Sequence, residues 1–216
     1  MGIPAERMGR VCGVQPNISM KNTLLIFIKN PVAGKVKTRL ARTVGDAEAL
    51  RIYHILLEKT RTAALEAPVN RQLWYSDQVE TADAWPEQLF DKQVQSGADL
   101  GERMGNAFRA AFAQGAEKVA IIGSDCPTLS GEILTQAFAA LDTQEAAIGP
   151  TPDGGYYLLA LRRFEPTLFE NIAWSTETVF DETIRAAENA GLRVAQLPRL
   201  SDIDTEADWR QYEALI

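Results

Sequence analysis

Short, nearly unbroken apolar runs alternate along the chain with longer stretches in which apolar positions recur every three or four residues. Thr23-Leu24-Leu25-Ile26-Phe27-Ile28 and Lys118-Val119-Ala120-Ile121-Ile122 belong to the first kind. Such runs mark strands covered on both faces. Further strands are predicted at Arg71–Tyr75, Ala146–Ile148, Tyr156–Leu161 and Arg193–Leu197. Ala49, Leu50, Tyr53, Leu56, Leu57, Thr60 and Ala64 instead follow helical spacing, as do Met104, Ala107, Phe108 and Ala111 within a helix over Leu100–Ala113. Helices are also predicted over Ser130–Leu141, over Ser175–Ala190 with Gly191 as its stop, and over Thr205–Leu215. Strands alternating with helices imply a three-layer α/β sandwich around a parallel or mixed sheet. Ligands of such sheets bind beyond the carboxyl ends of the strands, which selects the loops that matter.

Composition narrows the picture. The 216 residues are 46% hydrophobic and 24% charged, which fits one globular domain with a sizeable core. A net charge of -7 argues against nonspecific nucleic-acid binding, but it leaves room for a local basic site. Cys12 and Cys126 give neither a disulfide framework nor a zinc spacing, so a cytoplasmic location is expected. No apolar run approaches the roughly 20 residues of a membrane helix. Residues 1–19 lack the apolar centre of a secretory signal and read as a flexible extension before a domain at 20–216. No repeat or second core is evident.

Four segments carry candidate chemistry. The loop from Lys29 to Leu40 follows the first strand and holds Lys29, Gly34, Lys35, Lys37, Thr38 and Arg39. Glycine admits a phosphate close to the backbone and the cations neutralise it. The spacing is not that of a Walker A loop, and a solvated basic turn is the plainer reading. Gly123-Ser124-Asp125-Cys126-Pro127 ends the central strand, where the Asp125 carboxylate suits Mg²⁺ or Mn²⁺, or else caps the next helix. Asp202 and Asp204 alternate and share a side if the chain is extended, while Thr205 with Asp208 resembles a capping pair. Asp204 is the second candidate metal carboxylate.

The fourth segment, Pro152-Asp153-Gly154-Gly155-Tyr156, is a strong turn signal that can also present Asp153 and backbone N–H groups to a substrate. Gln95 and Arg103 flank a loop and helix start where an anion can be met. Trp174, Ser175 and Thr176 precede a helix, with Ser175 or Thr176 as its expected N-cap or as a touch point for an acceptor. His54, the sole histidine, sits inside a helical pattern, which excludes most His-dependent triads. Cys126 has no histidine beside it and reads as a small buried thiol.

Together these segments resemble the glycosyltransferase-A-like superfamily, which also contains sugar and cofactor nucleotidyltransferases. The chain looks more closely like the small bacterial arsenosugar-biosynthesis-type glycosyltransferases, and more distantly like cofactor guanylyltransferases. The likeness spans nearly all of Met20–Ile216 and is most specific at Lys35–Leu40, Gly123–Leu129, Pro152–Tyr157 and Asp202–Asp208. It implies a Rossmann-like, nucleotide-diphospho-sugar-transferase type of fold, with a divalent metal on Asp125 and Asp204.

The expected roles then follow. Lys29, Gly34, Lys35, Lys37, Thr38, Arg39, Gln95 and Arg103 meet the nucleotide phosphates. Lys37, Asp125 and Asp153 serve catalysis. Gly154, Gly155, Tyr156, Trp174, Ser175 and Thr176 meet the acceptor. The expected partners are a nucleotide-sugar or nucleoside triphosphate and a small acceptor, with no nucleic acid or membrane; a homodimer is compatible. Ser124-Asp125-Cys126-Pro127 replaces the Asp-x-Asp triplet of many nucleotide-sugar enzymes, and the Lys-x-Lys-Thr-Arg loop suits a triphosphate. Nucleotidyl transfer with pyrophosphate release therefore stands beside glycosyl transfer, and non-catalytic nucleotide binding is a third reading.

Overall fold

The computed structural model describes residues 21–214, so the expectations for residues 1–19 lie outside the described residues. Its strands are β1 (Asn22–Ile28), β2 (Asn70–Tyr75), β3 (Asp91–Val94), β4 (Lys118–Ile122), β5 (Ala146–Pro150), β6 (Tyr156–Leu161) and β7 (Val194–Gln196). Its helices are α1 (Thr38–Val44), α2 (Asp46–Glu66), α3 (Leu100–Ala113), α4 (Gly131–Ala140), α5 (Val179–Asn189) and α6 (Glu206–Glu213). The strands form one sheet in the order β3-β2-β1-β4-β6-β5-β7. All neighbours are parallel except β6, which runs antiparallel to β4 and β5.

The apolar runs become central strands because both of their faces are covered. Leu24, Ile26 and Ile28 of β1 pack under α2 and α4, together with Tyr53, Leu57, Leu134 and Phe138. Leu25 faces the other layer, against Met104, Ala107 and Phe108 of α3. Leu24, Leu25 and Ile26 are wholly buried, and each contributes about 2 kcal/mol of burial.

Three elements escape the pattern. β3 is an edge strand of sequence Asp-Lys-Gln-Val, too polar and too exposed to read as apolar. α1 spans only seven residues. The 3₁₀ turn at Pro166–Phe169 hides its signal in two buried residues, Leu168 and Phe169. The expected helix start at Ser175 also moves, since α5 begins at Val179 with Thr178 as N-cap. Ser175 instead takes a left-handed turn, φ 67°. The chain from Trp174 to Thr178 is a loop because it must lie against the Asp153 turn: Phe180 N–H donates to the Gly154 carbonyl at 2.8 Å.

β1 and β4 are neighbours, and from them the order runs outward in opposite directions, which opens a crevice at their carboxyl ends. Because β6 is antiparallel, its start at Tyr156 comes to the same rim.

Candidate functional site

A cavity of ≈ 690 Å³ occupies that crevice. Its positions are set by a small third core, in which Leu40 of α1 and Ile52 and Leu56 of α2 pack with Ile203, Trp209 and Tyr212. This packing brings the basic loop after β1 against the acidic segment before α6. Ile203 N–H also donates to the Asp125 carbonyl at 2.9 Å, so the two acidic segments are tied through the backbone. The Thr205–Asp208 capping box is present and holds α6 at its start. It also fixes Asp204, whose N–H donates to Asp208 Oδ2 at 3.1 Å.

Lys37 lies at the centre. Its backbone adopts the left-handed conformation, φ 47°, and its side chain is only 4% exposed. The ammonium stands 2.7 Å from Asp125 Oδ1, 3.3 Å from Asp204 Oδ1 and 2.6 Å from the Ile203 carbonyl. Arg39 reaches Asp204 Oδ2 at 3.5 Å from the solvent side. Residues 37, 125 and 204 thus form one cluster.

Two neutral side chains brace the ends of β1 and β4. The buried Tyr53 hydroxyl accepts from Lys29 N–H at 2.9 Å and donates to the Lys29 carbonyl at 3.1 Å. It meets Ser124 Oγ at 3.2 Å, so the ends of β1 and β4 are joined. Asn30 pins the neighbouring loop, its amide donating to the Gln78 carbonyl at 2.9 Å while Oδ1 accepts from Asp77 N–H at 3.1 Å.

Lys29, Lys37, Thr38, Arg39, Gln95, Asp125, Asp153 and Asp204 all line the cavity, as do Gly155, Tyr156, Trp174, Ser175 and Thr176. Gln95 is also a strand tie, donating to the Ile28 and Trp74 carbonyls at 3.2 and 3.0 Å. Gly34, Lys35, Arg103 and Gly154 do not line it. Arg103 turns back to the Gly97 carbonyl at 3.1 Å. Lys35 points to solvent.

Gly154 serves the site by conformation: with φ +86°, a Cβ there would come within 1.9 Å of the Glu177 carbonyl. Gly154→Ala is expected to destabilise the fold by about 2–4 kcal/mol through left-handed strain and this collision, visible as a lower thermal midpoint.

One carboxyl carries more than its spacing suggested. Asp202 lines the cavity, and its Oδ1 is buried without a hydrogen-bond partner. Burial, aided by the nearby Asp125, pushes it up to about 7, against the opposing pull of Lys37. Only its alternation with Asp204 hinted at this. Cys126 is buried, and desolvation raises its thiol to about 11, so it is a poor nucleophile at neutral pH.

Sheet order, crevice and cluster define a nucleotide-diphospho-sugar-transferase type of α/β fold, and solved structures agree. A crystal structure of a candidate nucleotide-diphospho-sugar transferase from Desulfovibrio desulfuricans G20 is 32% identical, with a TM-score of 0.80 over 90% of this chain and 96% of that one. The inositol-1-phosphate CTP transferase from T. maritima shares the fold at 14% identity and TM-score 0.55, over 90% and 94% of the two chains. The 4-diphosphocytidyl-2C-methyl-D-erythritol synthase from Anaerococcus prevotii DSM 20548 does so at 12% identity and TM-score 0.56, over 90% and 97%. Comparison with curated proteins gave no match. Residues 59–176 match the family described as "Uncharacterized protein conserved in bacteria (DUF2064)", and the chain belongs to that family.

Proposed function

We propose that this protein is a nucleotide-dependent transferase that moves a glycosyl group from a nucleoside-diphosphate sugar to a small acceptor. The observation that carries this reading is the convergence of Lys37, Asp125 and Asp204 in the crevice between β1 and β4. The 32% identical candidate nucleotide-diphospho-sugar transferase supports it.

The residues fit a divalent cation of the magnesium kind. Asp125, Asp153, Glu177 and Asp204 line the cavity together with the partly protonated Asp202 against three cationic side chains, an imbalance that by itself would repel a diphosphate. Among the described residues, no group of three or more His, Cys, Asp or Glu side chains is placed to hold a metal ion. Mg²⁺ needs no such group, since it takes one or two carboxylates and fills its shell with phosphate oxygens and water. Asp125 and Asp204, both partly exposed and bridged by the Lys37 ammonium, are the residues that would hold Mg²⁺ or Mn²⁺ beside it. The ion would supply charge stabilisation for the departing diphosphate.

Lys29, Lys37 and Arg39 neutralise the diphosphate oxygens, and Thr38 lies beside them on the wall. Asp153 orients the acceptor hydroxyl and takes its proton. The acceptor oxygen bonds to the anomeric carbon, the bond from that carbon to the diphosphate breaks, and the nucleoside diphosphate leaves. Nucleotidyl transfer is the second reading, favoured by the three cations of the loop that line the cavity. There the acceptor oxygen attacks the α-phosphorus and pyrophosphate leaves.

Incubation with Mg²⁺, nucleotide-sugars, nucleoside triphosphates and a mixture of small hydroxylated metabolites is expected to release free nucleoside diphosphate. Pyrophosphate would select the second reading, and tight binding without turnover would leave a nucleotide-binding protein. In Asp125→Asn the fold is expected to persist while Mg²⁺-dependent nucleotide affinity falls about tenfold or more, the scale of a lost charged ligand. An unchanged metal titration in that variant would remove Asp125 from the site.

A further inference from the structure

The three cations of the cavity come from one segment, where Asp125 and Asp204 pair with two of them. Lys29, Lys37 and Arg39 stand at the α1 end. Another rim is built from residues within 153–157 and 174–179, whose charged side chains are Asp153 and Glu177. Asp153 and Glu177 line the cavity. They belong to loops in direct contact, since Gly154 abuts the Glu177 carbonyl and its own carbonyl accepts from Phe180 N–H at 2.8 Å.

The remaining wall of this end is apolar. Trp174 packs on the first turn of α3 so closely that a Cβ on Gly101 would meet its indole nitrogen at 2.2 Å. Leu100, beside it, is 42% exposed although it faces the cavity together with Met104. A large exposed leucine next to a tryptophan, at the mouth of a polar site, is an apolar surface with nothing covering it. Ser175 and Thr176 add hydroxyl groups along the same rim.

We infer that this end takes an uncharged, hydroxyl-bearing acceptor with an apolar face and rejects acceptors that carry a phosphate, with Glu177 as a specificity-determining residue. The inference rests on the transferase reading above and narrows its acceptor. A phosphate monoester placed here meets two carboxylates and no cation to neutralise it, whereas a neutral hydroxyl compound needs only hydrogen bonds and a stacking surface. During transfer the acceptor proton passes to Asp153 and the diphosphate departs at the cationic end.

The test uses the full chain with MgCl₂ and, in turn, UDP, GDP, CDP and ADP, whose binding is measured first by calorimetry. The loaded protein is then titrated, with ligand-observed NMR, against phenyl β-D-glucoside and its 6-phosphate. The neutral glucoside is expected to bind at least tenfold more tightly than the phosphate, and Glu177→Lys is expected to shrink or invert that ratio. Nucleotide affinity and the circular dichroism spectrum of the variant are recorded alongside. Equal or tighter binding of the 6-phosphate overturns the inference. So does failure of both glucosides to bind a nucleotide-loaded protein, or a ratio untouched by Glu177→Lys in a folded variant. Absence of nucleotide binding in the first titration overturns the transferase reading itself, and the inference with it.

Discussion

Lys37→Met is expected to lower catalytic efficiency by about 10²–10³-fold, the scale measured when one preorganised charge-stabilising donor is removed. The ammonium is the one buried cation among those lining the cavity, and it is held by two carboxylates and a carbonyl at 2.7, 3.3 and 2.6 Å. Methionine has an unbranched stem that ends about where the lysine Cε lies, so the local packing changes little while the ammonium is removed. The electrostatics change entirely: Asp125, Asp202 and Asp204 then face one another without their central counter-charge. Breaking a fully buried ion pair costs about 3–5 kcal/mol. Asp125 and Asp204 are 45% and 41% exposed and rehydrate in part, so a smaller loss of about 1–3 kcal/mol is expected here. Steady-state kinetics and chemical denaturation separate the two effects. Wild-type turnover in a Lys37→Met protein that binds nucleotide would remove this lysine from the chemistry.

The second large effect runs the other way: Asp202→Asn is expected to stabilise the protein above neutral pH. In the folded state the Asp202 carboxyl is raised from 3.8 to about 7. The folded protein therefore holds a proton that the unfolded chain has released across the interval between those values. Stability contributed by that proton is fully present below about pH 4 and is lost as the pH rises through about 7. The lost amount is roughly 4 kcal/mol at most by the usual conversion of 1.36 kcal/mol per unit. Asparagine is neutral throughout and escapes the loss. In EDTA at pH 8 the variant is expected to exceed the wild type by about 2–4 kcal/mol. At pH 4 the two should be nearly equal. Parallel stability curves from pH 4 to pH 8 would show that Asp202 is not a strained buried acid. An acid kept where it weakens the fold is characteristic of a functional site.

The central architecture was legible because burial on both faces leaves a local mark. β1 and β4 read as strands from five or six consecutive residues, and the β6 segment from Tyr156–Leu161. The Thr205–Asp208 cap was equally readable, since a capping box is formed by residues three apart. β3 and β7 differ: β3 is polar and went unread, whereas β7 is short and half-exposed but still carried an apolar trace. Edge strands need only one partner and one covered face, so their side chains need not be apolar.

The candidate site divides in the same way. The sequence by itself established which loops bear charge and that they follow strand ends, because residue type and spacing are local properties. Only the tertiary structure decided that the Lys37 ammonium is buried between Asp125 and Asp204, that Lys35 and Arg103 turn elsewhere, and that Asp202 is the strained acid. The Lys37 cluster depends on α1, α2 and the chain before α6 sharing one apolar core across more than 160 positions of sequence. Charge in a protein acts through distance and burial, and both are set where distant segments pack together.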